Sequence, residues 1–154
     1  MAVKLKPAEL RAWRAFLDAQ ASLLRRLEAD LIRDEDITLA EYDVLVQLSF
    51  TPGGRLRMTE LSDRVRLSPS GLTRLVDRLV RSGLVKRGRC ASDRRGTFAI
   101  LTPAGKVRLR KASPVHLRGI REHFSRHLSP AQLAAVAEAL EPLGRDMPLG
   151  VSSD

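Results

Sequence analysis

Cysteine is nearly absent from this chain: Cys90 is the single one in 154 residues. That excludes an intrachain disulfide framework and any zinc site built from several thiolates. Aromatic residues make up only 4%, and none lies between residues 51 and 97. RNA-binding modules usually interleave stacking aromatics with their basic residues, so that class is disfavoured here. No apolar run approaches the ~18 residues of a membrane span. The N-terminus, Met-Ala-Val-Lys-Leu-Lys-Pro, has no apolar core of a signal peptide, so the expected location is cytoplasmic, with no membrane partner. No glycine-rich phosphate loop, nucleophile elbow or paired-carboxylate motif appears, and no enzyme or cofactor is expected. His123 and His127 are four apart and share a helix face, but no further ligand completes a metal site.

What is present is an ordinary globular composition, 44% hydrophobic and 29% charged, sized for one domain over 1–154. The net charge is +9, and its distribution matters more than its size. Residues 55 to 95 carry +8, from twelve Arg/Lys against four acids, and the remaining 113 residues carry +1. A field so concentrated favours a polyanion.

The periodicity predicts mostly helix. Residues 7–33 form a long first helix with Leu10, Trp13, Phe16, Leu17, Leu24, Leu27 and Leu31 on one stripe. Arg33–Asp36 reads as a polar connector. Thr38-Leu39-Ala40-Glu41 is a capping box, with Ile37 and Tyr42 as its hydrophobic staple. The second helix runs to about Phe50, and Thr51-Pro52-Gly53-Gly54 ends it. Thr59 is read as the cap of a short third helix.

Ser68 caps the fourth helix, with Pro69 in the first helical position. Leu72, Leu75, Val76 and Leu79 form its inward face. Ser70, Thr73, Arg74, Asp77, Arg78 and Arg81 face out, and Gly83 supplies the stop. Segments 84–89 and 97–101 read as two strands of a hairpin around the turn Ser92-Asp93-Arg94-Arg95-Gly96. Thr102-Pro103 opens a fifth helix, which Pro114 is expected to kink or break. Ser129-Pro130-Ala131-Gln132 caps the last.

Ser68 to Gly96 therefore reads as one DNA-reading unit, a winged helix-turn-helix. A helix with one packed face and one polar face fits the major groove of B-DNA, where base edges present a distinct code. Arg74 and Arg78 stand one turn apart, and each can grip guanine or phosphate through two bonds. Ser70, Gly71 and Thr73 are small enough for close approach, and the helix N-terminus suits a phosphate. Asp77 reads as an intrahelical partner of Arg74, Arg78 or Arg81. Arg94 and Arg95 at the hairpin tip suit the negative potential of a narrow minor groove. The rival reading is a sequence-independent architectural nucleic-acid-binding protein, which would use the same charge.

These segments resemble the MarR family of regulators. The resemblance is carried by Tyr42–Leu45, Met58–Ser62, Gly71–Leu79, Gly83–Val85, Asp93–Gly96 and Leu101–Gly105. It implies a mainly α fold with a small β-hairpin wing, a winged lobe over about 38–101, and dimerisation helices over about 7–33 and 102–145. It further implies a homodimer on a pseudo-palindromic operator of double-stranded DNA. Apolar stripes at both ends of the chain, larger than one small lobe can cover, agree with that. By motif, Ser68, Ser70, Gly71, Thr73, Arg74 and Arg78 would serve the major groove or its phosphates. Arg94 would enter the minor groove and Arg95 would meet a phosphate. The family also implies a repressor released by a small phenolic or anionic aromatic effector, for which Trp13, Phe16, Tyr42 and His116 are the candidate lining. Cys90 lies before the wing, not near the N-terminus where oxidant-sensing members of the family carry theirs.

Overall fold

The computed structural model describes residues 4–90 and 93–144, and of residues 90 and 93–95 the backbone alone. In chain order the described elements are α1 (Pro7–Glu35), α2 (Leu39–Ser49), β1 (Arg55–Arg57), α3 (Met58–Val65), α4 (Pro69–Arg81), β2 (Val85–Cys90), β3 (Asp93–Leu101), α5 (Pro103–His123) and α6 (Pro130–Gly144). The strands form one antiparallel sheet in the order β1-β3-β2. This is the mainly α winged helix-turn-helix that the sequence implied, with one strand more than the expected hairpin.

The winged lobe is held by a single apolar cluster. Leu45 and Leu48 of α2, Leu61 of α3, Leu72, Leu75, Val76 and Leu79 of α4 and Val85 and Ala99 of the sheet are all buried. The four α4 side chains follow the i, i+3, i+4, i+7 spacing of one helix face. Each such burial contributes about 1.5–3 kcal/mol, enough to fix the helix on its scaffold. Leu31 of α1 and Ala112 and Val115 of α5 join the same cluster, so the lobe is anchored to both long helices.

Local signals set most of the boundaries. The Thr38 capping box forms: the Glu41 amide donates to Thr38 Oγ1 at 3.2 Å, and the Thr38 amide donates to Glu41 Oε2 at 2.9 Å. Ser129 and Gln132 exchange the same pair of bonds. At the end of α4, Gly83 turns with φ of 73°. The Gly83 amide donates to Val80 O at 3.0 Å and the Leu84 amide to Leu79 O at 2.9 Å, which closes the helix in a Schellman motif.

Several expectations are corrected. The first helix continues to Glu35, absorbing most of the expected connector, and Asp36 ends it in the left-handed region with φ of 50°. Thr59 does not cap α3: the cap position is Arg57, whose amide donates to Glu60 Oε2 at 3.4 Å. The chain reaches that helix directly from β1, which places Thr59 inside the first turn. Of the turn expected over residues 92–96, Asp93 to Gly96 belong to β3, and Ser92 lies outside the described residues. A register shift between Arg89 and Cys90 brings Cys90 opposite Asp93. Pro114 does not break α5, which runs unbroken from Pro103 to His123. Pro114 is exposed while Ala112 and Val115 beside it are buried. Arg110, whose carbonyl loses the Pro114 donor, is an exposed residue as well, and the packed side keeps the helix together.

Candidate nucleic-acid interface

The recognition surface begins at the N-terminus of α4. Ser68 Oγ accepts from the Gly71 amide at 3.1 Å and lies 3.3 Å from Ser70 Oγ. Thr73 donates its hydroxyl to Pro69 O at 2.8 Å. Ser68, Ser70, Thr73, Arg74 and Arg78 are exposed and Gly71 is half-buried. The expected front of the helix is therefore one continuous open face on a helix whose back is buried. Ser68 plays a structural part as well, since its oxygen satisfies one of the otherwise orphaned first-turn amides.

Two of the outward charges have partners that spacing within the helix does not give. Asp77 pairs with Arg87 of β2 at 2.8 Å, not with the arginines of its own helix. The reason is direction: α4 lies against the start of the wing, and position 77 points to it. Arg78 Nε reaches Glu41 Oε1 of α2 at 3.5 Å. Glu41 thus caps α2 with one oxygen and faces α4 with the other. The Asp77–Arg87 pair is open to solvent and the Arg78–Glu41 contact is long, with the arginine exposed, so each adds little stability; what they add is orientation.

The wing carries basic residues that the sequence reading did not single out. Arg55 and Arg57 of β1 lie over the Phe98 ring, 4.9 and 5.7 Å from its centre, a cation–π arrangement on a short strand. The alternation Arg55-Leu56-Arg57, with Leu56 buried, was the signal that could have found them. The side chains of Arg94 and Arg95 lie outside the described residues; their backbone is in β3.

The four candidate effector residues form two separate pairs within the chain. Trp13 and Phe16 are neighbours on α1 with ring centres 6.1 Å apart, both exposed. Tyr42 and His116 stack between α2 and α5 at 4.6 Å, and the Tyr42 hydroxyl lies 3.4 Å from Ser113 Oγ. Burial pushes the His116 imidazole below its ordinary pKa, with the Asp43 charge opposing. His116 Nδ1 is buried with no hydrogen-bond partner among the described residues. Phe16 alone of the four lines the large apolar cleft, of about 1010 Å³, between α1, α5 and α6. His123 is held by Asp30 at 2.7 Å, and no metal-binding cluster occurs among the described residues.

Comparison with known proteins decides the family. The MarR family model matches residues 35–96. Two solved structures from Streptomyces coelicolor superpose on nearly the whole chain. One is the MarR family transcriptional regulator Sco3205 in complex with DNA, 34% identical, TM-score 0.88, covering 95% of this chain and 91% of that one. The other is AbsC, 36% identical, TM-score 0.86, covering 94% and 97%.

The chain belongs to the MarR family. Another relative, the HTH-type transcriptional repressor MdtR of Bacillus subtilis, is 26% identical over 70% of this chain and 68% of its own length. The protein is thus a MarR-type DNA-binding transcriptional regulator and not an enzyme. No helix among the described residues is long and apolar enough to cross a membrane.

Proposed function

We propose that this MarR-type regulator is a homodimeric, sequence-specific repressor that binds a pseudo-palindromic duplex operator and is released by a small phenolic or anionic aromatic effector. The observation that carries the reading is the α4 front: Arg74 and Arg78 exposed one turn apart on a helix whose opposite face is fully buried. In this reading residues 1–154 act as one domain. The set Ser68, Ser70, Gly71, Thr73, Arg74 and Arg78 meets the major groove or its phosphates, and Arg94 and Arg95 meet the minor groove and its edge.

The dimer is supported by the helical end of the chain. No residue of α6 is buried, and Leu24, Leu117 and Leu143 expose 46%, 63% and 78% of their surface. Apolar area of that kind marks an interface. A twofold dimer would present two α4 helices to adjacent major grooves, roughly one helical turn apart. Repression is supported by the relative named a repressor. The effector is supported by Tyr42 and His116, an aromatic face beside a buried ring nitrogen with no partner among the described residues. A ligand bound there would release DNA only by preferring the non-binding spacing of the two lobes.

Anisotropy titration with duplexes from upstream of the gene, against scrambled DNA at fixed salt, tests the reading. Tight binding to one fragment is expected, and Arg74→Ala should lose about 1–3 kcal/mol of discrimination at one operator position. Equal weakening on every duplex would favour the architectural alternative.

A further inference from the structure

A polar notch of about 280 Å³ opens between the start of α3, the middle of α4 and the wing, lined in part by Arg57, Thr59, Thr73, Arg87, Gly96 and Thr97. Of these, only Thr73 belongs to the DNA-contacting set read from the sequence. We infer that this notch seats the sugar-phosphate strand that runs between the two grooves, with Arg87 and Arg57 as its phosphate contacts. The inference rests on the duplex-binding reading above and adds the place where the backbone is gripped.

If α4 lies in a major groove and the wing in the neighbouring minor groove, one strand of the duplex must cross the space between them. That space is the notch. Two arginines, three threonines and Met58 line it, no acidic residue does among the described residues, and Gly96 adds no side chain at the wing. Its volume corresponds to several waters at ~30 Å³ each, so a phosphodiester group fits by displacing some of them.

Asp77 accepts from one terminal nitrogen of Arg87 at 2.8 Å. A guanidinium has five N–H donors in a fixed fork, so this bond aims the group while leaving other donors for a phosphate. The pair is open to solvent, with 35% and 49% of the two side chains exposed. Its own contribution to stability is therefore small. Arg57 is steered in a comparable way by the Phe98 ring.

The test is the salt dependence of binding by the full chain, on a selected duplex and on its scrambled counterpart, between 50 and 200 mM salt (roughly the range over which counterion release is read). Arg87→Gln should make the slope of log K against log salt shallower by about 1.8, roughly 0.9 for each of the two notches of the proposed dimer. It should weaken both duplexes alike, leaving their ratio unchanged. Arg57→Gln should do the same independently. Arg87→Lys, which keeps the charge, should restore most of the slope, and thermal melts confirm that each variant is folded. Unchanged slopes in folded Arg87→Gln and Arg57→Gln, with Arg74→Ala still losing discrimination, would overturn the notch and leave the regulator reading standing. Shallower slopes in a protein that never distinguishes the two duplexes would keep the notch and overturn sequence-specific regulation.

Discussion

The winged lobe and the helical end of this chain are built to different degrees of completion. In the lobe, α2, α3, α4 and the sheet converge on one apolar cluster, and the outward positions are mostly polar or charged, with Phe50 and Val80 the large apolar exceptions among the described residues. In the helical end, α1 touches the cluster only near its C-terminal part, through Leu31, and α6 contributes nothing buried. The lobe's surface is one a solvated domain can carry, with its remaining valence in charge and hydrogen bonds directed at DNA. The helical end leaves its apolar stripes uncovered, and its remaining valence is hydrophobic. One region is finished and waits for a polyanion; the other is unfinished and, on the proposed reading, is completed by a second copy.

Substitutions in the two regions should therefore fail differently. The largest effect is expected in the lobe. Leu72→Ala removes a side chain that is 1% exposed and should cost about 2–5 kcal/mol in urea unfolding. A loss below ~1 kcal/mol would mean the cluster is less tightly packed than it looks. At the other end, Leu24→Glu should leave the lobe folded but weaken self-association roughly 100-fold, about 2.8 kcal/mol, read by sedimentation equilibrium. If the variant stays dimeric, the α1 stripe is not at the interface.

Ser68→Ala should cost about 1 kcal/mol through loss of the α4 cap, visible in the melt and separable from any DNA effect. The smallest effect expected is on the acid side. Burial by itself raises the Asp30 carboxyl, but hydrogen bonds from His123 and Arg33 outweigh it and hold the group below its ordinary 3.8. A depressed carboxylate stabilises the fold above the unfolded value, and the benefit is lost as pH falls below 3.8 through the folded one. Urea melts from pH 5 to 3 should show a shallower acid loss in Asp30→Asn than in the parent. Parallel curves would remove Asp30 from the account.

The same contrast explains what was legible in the sequence. Features that one helix turn decides were readable: the boxes at Thr38 and Ser129, the cap at Ser68, the stop at Gly83 and the inward face of α4. The glycine of the motif Leu101–Gly105 has a physical cause that lies across a tertiary contact. A Cβ on Gly105 would be driven into the carbonyl oxygen of Leu84, so this start of α5 can sit against the wing only with glycine there. Features set by distant partners were not readable. Strand β1 is three residues long and exists because it pairs with β3, Leu56 opposite Ala99. Asp77 finds Arg87 across a tertiary contact ten residues on, where helical spacing offered nearer arginines. Pro114 survives in α5 because its helix is packed on the other side, which a propensity argument does not see. The α4 face was legible as a candidate site because its polar residues share a surface with no core to serve; Arg57 and Arg87 were not, because only the folded wing brings them beside Thr73.

On the proposed reading the α4 face reads sequence while the rest of the basic surface grips backbone. Selection of bound fragments from a random duplex library, run in parallel with the parent chain and Arg74→Ala, tests it most directly. The parent should enrich an inverted repeat with half-sites roughly one helical turn apart, and the variant should show a relaxed preference at one position in each half-site. A parent chain that enriches no sequence at all would contradict that reading.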